Sequence, residues 1–234
     1  VAGVEYNGGM TSATLWKNGA AQTLNNGSHE AMAYSVAVSG NDVNGAGNEY
    51  NGTNQVAILW KNGEQQYLSD GSNYADANSV FVSGSDVYVA GKDNEIIKVW
   101  KNGVSQVLTD GSNSAGARSI FVSGNDVYVA GYENNGSVGV AKLWKNGVAQ
   151  DLTDGSKQAM AYSVFVSGSD VYVAGYESNG TRWVAKLWKN GAAQVLTNGA
   201  KNAVAGSVFV SGSDVYVAGY ENNGTYGVAK LWKN

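Results

Sequence analysis

The tripeptide Trp-Lys-Asn begins at Trp16, Trp60, Trp100, Trp144, Trp188 and Trp232, at intervals of 44, 40, 44, 44 and 44 residues. Val-Ala-Gly, or a near copy, keeps the same beat from Val1, Gly45, Val89, Val129, Val173 and Val217. Such a chain is constrained to a fold made of one supersecondary unit used repeatedly, each copy burying an apolar face against the next. A period near 44 residues is the spacing of a four-stranded propeller blade. A helical repeat of this length would carry a 3.6-residue apolar period, and none is visible. The copies run over 1–44, 45–88, 89–128, 129–172 and 173–216, with a partial copy over 217–234.

Residues 163–190 show the unit most clearly. Strand A falls over 163–167, Gly168-Ser169-Asp170 turns the chain, strand B runs over 171–177, a longer turn covers 178–181, and strand C runs over 184–188. Asn190-Gly191 is the dipeptide that tolerates positive φ at both central positions of a type I′ hairpin turn, and strand D follows over 193–197. β-branched and aromatic residues fill the strands, while Gly, Asn, Asp and Ser fill the turns. Several strands are apolar on both faces, as expected where each sheet packs between two neighbours.

Counted this way the chain holds five A, six B, six C and five D strands, 22 in all, which four-stranded blades do not divide. The expected fold is all-β, a single-domain β-propeller of four-stranded antiparallel blades. Six blades are favoured; completing them takes one more D and one more A strand, about the length of residues 191–216. Five blades are the alternative, with the D strand over 20–24 paired to the C strand over 228–232 so that no edge stays free. A third arrangement leaves the open edges to pair with another chain. The copy containing residues 92–98 is four residues short in its B–C turn, as a solvent loop tolerates.

The segments SVFVSGSDVYVAG and VAKLWKNGAAQVLTNG resemble a WD-repeat blade, with Trp188 near the place where those repeats carry their Trp. The Trp-Asp dipeptide and the Gly-His signature are absent, so WD-repeat partners are not implied. Over its whole length the chain more closely resembles the highly repetitive β-propeller proteins that bacteria export, whose blades are nearly identical. That resemblance implies the fold and an extracytoplasmic or secreted location, and implies no activity.

Charge is sparse, with 15 Lys and Arg against 19 Asp and Glu and a net charge of −4, a composition that does not favour nucleic acid as a partner. No run of 18 apolar residues offers a membrane span. No signal peptide is visible and the first residue is Val1, so the N-terminus is expected to be processed, trimmed or outside the given sequence. Cys is absent and His29 is the one histidine, which removes thiolate chemistry, His-based metal clusters and repeated acid–base pairs. No cofactor or metal is expected. The Thr-Asp-Gly-Ser segments at Thr109 and Thr153 lack the alternating oxygen ligands and closing Glu of a calcium loop. A carboxylate pair drawn from different blades is the remaining route to catalysis, as in a glycan-active enzyme.

In an up-and-down blade the A–B and C–D turns share one face, and the B–C and D–A turns share the other. The first pair scarcely varies between copies; the second does. Loops carried on a rigid frame are where binding resides. The candidate ligand-binding residues are therefore Trp183, Arg182, Tyr226 and Tyr50, of which the first three are suited to stack on a sugar ring or anchor a protein partner. A carboxylate recurs at the end of strand B, at Glu5, Glu49, Asp93, Glu133, Glu177 and Glu221. Glu133, Glu177 and Glu221 join the candidates, since a ring of carboxylates attracts basic groups; the bland alternative is a strand-end carboxylate bonded to a neighbouring turn. Each Trp of Trp-Lys-Asn is expected to wedge between sheets, with the Lys stem laid over apolar surface. The Asp of each A–B turn (Asp42, Asp86, Asp126, Asp170, Asp214) is expected to bind local backbone N–H groups. The Gln of strand D (Gln22, Gln66, Gln106, Gln150, Gln194) is expected to bond between sheets or across strands. Asn-x-Ser/Thr triplets at Asn26, Asn51, Asn135, Asn179 and Asn223 are either turn chemistry or glycan acceptors. The expected function is a non-catalytic module that binds a glycan or protein surface. A scaffold that self-associates through its incomplete ends and a glycan-active enzyme are the alternatives.

Overall fold

The structure, a computed structural model, describes residues 1–234, the side chain of Asn7 excepted. It is all-β: the described residues form 22 strands and no helix, and therefore no helix long and apolar enough to cross a membrane. The chain divides into two compact units, Val1–Ser112 and Asn113–Asn234.

The first unit holds three antiparallel sheets. One is β1 (Ala2–Asn7), β2 (Met10–Lys17) and β3 (Ala20–Thr23). The next is β4 (Ala31–Ser39), β5 (Asp42–Tyr50), β6 (Gln55–Lys61) and β7 (Glu64–Tyr67). The third is β8 (Ala75–Ser83), β9 (Asp86–Asp93), β10 (Ile96–Lys101) and β11 (Val104–Val107). The second unit also holds three: β12 (Ala115–Ser123) to β15 (Val148–Asp151) through β13 (Asp126–Asn134) and β14 (Gly139–Lys145); β16 (Ala159–Ser167), β17 (Asp170–Ser178), β18 (Trp183–Lys189) and β19 (Ala192–Val195); and β20 (Ala203–Ser211), β21 (Asp214–Asn222) and β22 (Gly227–Lys233). Strands within each sheet follow sequence order, so every connection inside a sheet is a hairpin turn.

The turns follow from their residues. In all five C–D hairpins Asn and Gly both adopt positive φ, 51–53° for Asn and 81–90° for Gly, the type I′ geometry that Asn-Gly predicts. The A–B turns place Gly first, with φ of 58–61°, as a type II′ turn requires. Between β9 and β10 the shortened loop is a two-residue turn led by Asn94 with φ 57°.

Strand A is longer than the sequence indicates. β16 begins at Ala159 rather than at residue 163, and it carries a β-bulge: Ala161 pairs with Gly175 and Ser163 with Ala174, which leaves Tyr162 as the extra residue. The same bulge falls at Tyr34, Asn78, Arg118 and Gly206. It explains the Gly of Val-Ala-Gly. A Cβ on Gly175 would overlap the carbonyl oxygen of Met160, and Gly47, Gly91, Gly131 and Gly219 meet the equivalent carbonyl. Strand D is correspondingly shorter than expected, four residues in each copy, because its Thr turns inward. The hydroxyls of Thr109 and Thr197 accept the N–H groups of Ile97 and Ala185 at 2.9 and 3.3 Å.

Within each unit, sheets stack face to face. Trp188 is fully buried against Tyr128, Ala130 and Leu143 of the preceding sheet, and Trp60, Trp100 and Trp144 are buried to within 1% of complete. Trp16 and Trp232, in the three-stranded sheets, are only partly buried. Neighbouring A strands are joined by a serine: Ser119 Oγ accepts the Val164 N–H and Ser163 Oγ accepts the Val208 N–H, both at 3.2 Å. The strand-D glutamines Gln22, Gln66 and Gln150 lie against the turn glycines Gly63, Gly103 and Gly191 of the next sheet.

The turn aspartates act differently from expectation. Asp170 accepts from the side chains of Asn190 (2.8 Å) and Lys189 (2.7 Å), and the backbone N–H of Val171 is taken by Asn190 Oδ1 at 2.8 Å. Asp86 and Asp126 repeat the set with Lys101–Asn102 and Lys145–Asn146. The Asn of Trp-Lys-Asn therefore serves the backbone, and the aspartate binds the Lys-Asn pair. Lys101, Lys145, Lys189 and Lys233 also lie 5.2–5.3 Å from a tyrosine ring, over Tyr88, Tyr128, Tyr172 and Tyr216 in turn.

Candidate functional site

Uniform strands make the few variable side chains conspicuous, and in the second unit they gather at the bulge. A bulge turns its extra residue away from the ladder and re-aims it. Arg118 and Tyr162 are such residues, on β12 and β16. Opposite the start of strand A, strand B contributes Tyr132, Tyr176 and Tyr220, paired with Gly116, Met160 and Val204. Tyr162 and Tyr176 lie with ring centroids 6.1 Å apart, and Tyr176 lies 5.1 Å from Trp183 at a 33° tilt. The Arg118 guanidinium sits over the Tyr132 ring at 5.7 Å. A cation over a ring face is stabilised by the ring quadrupole, and offset rings attract one another.

These groups also feel one another electrostatically. Burial pushes the Tyr162 phenol above its usual range, the Tyr176 phenol adds to that, and the Arg118 charge opposes it. Burial likewise raises Tyr176; a hydrogen bond with Gln158 works against it, Tyr220 and Tyr132 add to it, and Arg118 again opposes. Five aromatic residues and one arginine therefore form one neighbourhood. Among the described residues no carboxylate lies within ion-pair distance of Arg118; every described ion pair belongs to a lysine.

Trp183 is the sequence-derived candidate that belongs to this cluster. It opens β18, opposite Ser178, and is 42% exposed. Its backbone N–H donates to Asn202 Oδ1 at 2.9 Å, and its ring rests on Tyr176. Arg182 is exposed beside it and is held locally: its N–H donates to Asn179 Oδ1 at 2.9 Å and its Nη1 to the Thr181 carbonyl at 3.0 Å. Tyr226, 65% exposed in the β21–β22 loop, donates its N–H to Asn223 Oδ1, and no ring contact joins it to Trp183 among the described residues. Tyr50 lies in the first unit, where its hydroxyl donates to the Gly52 carbonyl at 2.8 Å and its ring meets His29 edge-on at 6.4 Å.

Each candidate carboxylate has a lysine beside it. Glu133 pairs with Lys142 at 3.1 Å, Glu177 with Lys186, and Glu221 with Lys230 at 3.5 Å, all across the B–C ladder. Asp93 and Lys98 do the same at 2.7 Å. In β6 the lysine position is occupied by Ile58, and there the buried Glu49 takes a hydrogen bond from Gln65 Nε2 at 2.8 Å instead. Two of the pairs border grooves of about 430 Å³ that recur 44 residues apart: one lined by Lys157, Glu177, Asn179 and Lys186, the other by Lys201, Glu221, Asn223 and Lys230. Lys157 Nζ donates to the Asn179 carbonyl at 3.2 Å, and Lys201 to that of Asn223.

The triplet asparagines fasten loops. Asn179 Oδ1 accepts from the N–H groups of Thr181 and Arg182 while its Nδ2 donates to the Gly199 carbonyl at 3.1 Å, tying the B–C loop to the D–A loop. Asn51 and Asn135 do the same toward Gly71 and Gly155. In the Thr-Asp-Gly-Ser segments Asp110 and Asp154 accept from Ser112 and Ser156, closing tight turns. Among the described residues no group of three or more His, Cys, Asp or Glu is placed to hold a metal.

Of the residues in this cluster the sequence singles out Trp183 and not Tyr162, Tyr176 or Arg118, which read as ordinary strand residues. One signal was available: the residue between the repeated Ala and Ser of strand A changes in every copy but one pair, as Tyr34, Asn78, Arg118, Tyr162 and Gly206. No protein-family model and no curated protein matches the chain.

Proposed function

We propose that the chain is a non-catalytic recognition module whose second unit binds a saccharide on the aromatic cluster around Trp183. The observation that carries this is a large ring left 42% exposed yet packed against Tyr176, on a backbone whose N–H is held by Asn202. An amphipathic ring held in advance loses little side-chain entropy when the C–H face of a sugar packs on it. The repeated sheets are, on this reading, blades of a six-bladed β-propeller of an exported bacterial protein, with the B–C and D–A loops as its binding face. A catalytic role is disfavoured because the recurring carboxylates Glu133, Glu177 and Glu221 are engaged by lysines of their own sheets.

Screening on a glycan array, followed by calorimetric titration of the hits, tests the proposal. Trp183→Ala is expected to weaken binding at least tenfold, about 1.4 kcal/mol. A blank array at high protein concentration, or hits indifferent to the substitution, overturns it.

Association between sheet faces is the alternative function. The outward face of β20–β22 leaves Phe209 57% and Leu231 68% exposed, whereas the matching Leu187 of the preceding sheet is buried against β20 and β21. That face has the side chains to receive another sheet of the same kind. Mass measurement in solution separates the two: a monomer at every concentration removes association.

A further inference from the structure

We infer that the aromatic cluster of the second unit selects a saccharide bearing a carboxylate, a uronic acid residue, with Arg118 receiving the acid group; this rests on the saccharide reading above. A neutral sugar would need only the rings and the amides. The cluster adds a guanidinium that, like that of Arg182 but unlike the strand-C lysines, has no carboxylate partner among the described residues. Every lysine of strand C in this unit has a carboxylate partner: Lys142 binds Glu133 and Asp151, Lys186 binds Glu177, and Lys230 binds Glu221. Arg118 has none within ion-pair reach among the described residues, and it is exposed. Its position is set by the fold, since it is the extra residue of the β12 bulge and its guanidinium is braced on Tyr132 at 5.7 Å.

An arginine presents a planar fork that matches a carboxylate in bidentate fashion. The neighbouring A strand, joined to that of Arg118 by the Val164 N–H to Ser119 Oγ bond, carries the half-buried Tyr162, and the buried Tyr176 links Tyr162 to the exposed Trp183. A pyranose ring carrying its acid group on a ring carbon can therefore rest on an aromatic face while its charge meets the guanidinium. The charge balance of this unit alone favours the same sign of ligand. Residues 113–234 hold ten Lys and Arg against eight Asp and Glu, whereas residues 1–112 hold five against eleven. The bulge position also separates the copies: only one of the five carries a cation there, the others being Tyr34, Asn78, Tyr162 and Gly206.

The test is calorimetric titration of the whole chain with oligogalacturonate, alginate oligosaccharide and hyaluronan oligosaccharide, each beside its methyl-esterified, uncharged form, with heparin oligosaccharide and inorganic sulfate as anion controls. At least one uronate is expected to bind, its methyl ester at least tenfold more weakly, with affinity falling as salt rises. Arg118→Gln should bring the free acid down to the level of its ester, Arg118→Lys should recover part of the loss, and Trp183→Ala should weaken both forms. Because Arg118 is exposed, the thermal midpoint of Arg118→Gln should match that of the parent chain. Equal affinity for acid and ester, unchanged in Arg118→Gln, overturns the inference while leaving saccharide binding intact. Binding of heparin or sulfate that ignores Trp183→Ala marks mere charge attraction and overturns it too. No binding by any saccharide, acidic or neutral, removes both.

Discussion

Replacing Trp188 by Ala and by Phe separates two properties of the wedge. The indole is fully buried in one cluster with Tyr128, Ala130 and Leu143 of the preceding sheet and Val164 and Val173 of its own. Truncation to Ala removes nearly all of that contact and leaves a cavity that two packed sheets cannot collapse, a cost of about 3–5 kcal/mol. Phe keeps most of the ring. It leaves a smaller void costing on the order of 1 kcal/mol. It also deletes the indole N–H, which is buried with no hydrogen-bond partner, and an unmet buried donor carries a penalty of about 1–3 kcal/mol. The two terms oppose, so Trp188→Phe should sit within about 1 kcal/mol of the parent. For a chain of this size each kcal/mol shifts the thermal midpoint by about 2–4 °C, which places Trp188→Ala roughly 6–20 °C lower and Trp188→Phe within a few degrees. The assay is urea unfolding at pH 7 followed by both tryptophan fluorescence and far-ultraviolet circular dichroism, because coincident transitions are needed before a repeat protein can be assigned one free energy. A Phe variant as damaged as the Ala variant would refute the unmet-donor argument. An Ala variant that loses less than about 1 kcal/mol would refute the wedge itself.

Two further outcomes follow from the same geometry. Gly175→Ala drives a Cβ into the Met160 carbonyl and should cost about 1–3 kcal/mol or more, while weakening saccharide binding because the bulge that aims Tyr162 is displaced; unfolding and titration of the one variant check both. Glu49 is 5% exposed, and burial holds its pKa above the usual value, with the Gln65 hydrogen bond and the His29 charge working against that. A raised folded-state pKa means that stability is full below the unfolded value of about 4.3 and is lost as pH rises through the folded value. Glu49→Gln should therefore raise the thermal midpoint at pH 7, and the gain should vanish below about pH 4; equal gain at both pH values would count against the burial argument.

The repeat, the all-β class, the strand count and the Asn-Gly turns were legible because each depends on local chemistry. Positive φ at Asn190 and Gly191 needs no partner to be foreseen. What stayed hidden depends on pairing across space. Residues 159–162 read as loop because Ala-Met-Ala-Tyr carries no strand alternation, yet they pair with residues 175–177 across a bulge that only the glycine carbonyl contact makes apparent. The Glu177–Lys186 pair lies nine residues apart along the chain, and the lysine drew no notice inside an apolar strand. The commonest turn role of an aspartate points the A–B turn residues at backbone N–H groups. Here Asn190 reaches the Val171 backbone first, from nineteen residues away. Trp183 was visible as a large residue in a variable loop, whereas Tyr176 repeats at Tyr132 and Tyr220 and so looked like framework.

The most direct measurement is a crystal structure of the chain soaked with the tightest-binding uronate oligosaccharide. The account predicts a sugar ring packed on Trp183, with the carboxylate of the saccharide within hydrogen-bond distance of Arg118. Density for the sugar in the lysine grooves beside Lys157 or Lys201, with the aromatic cluster bare, would contradict it.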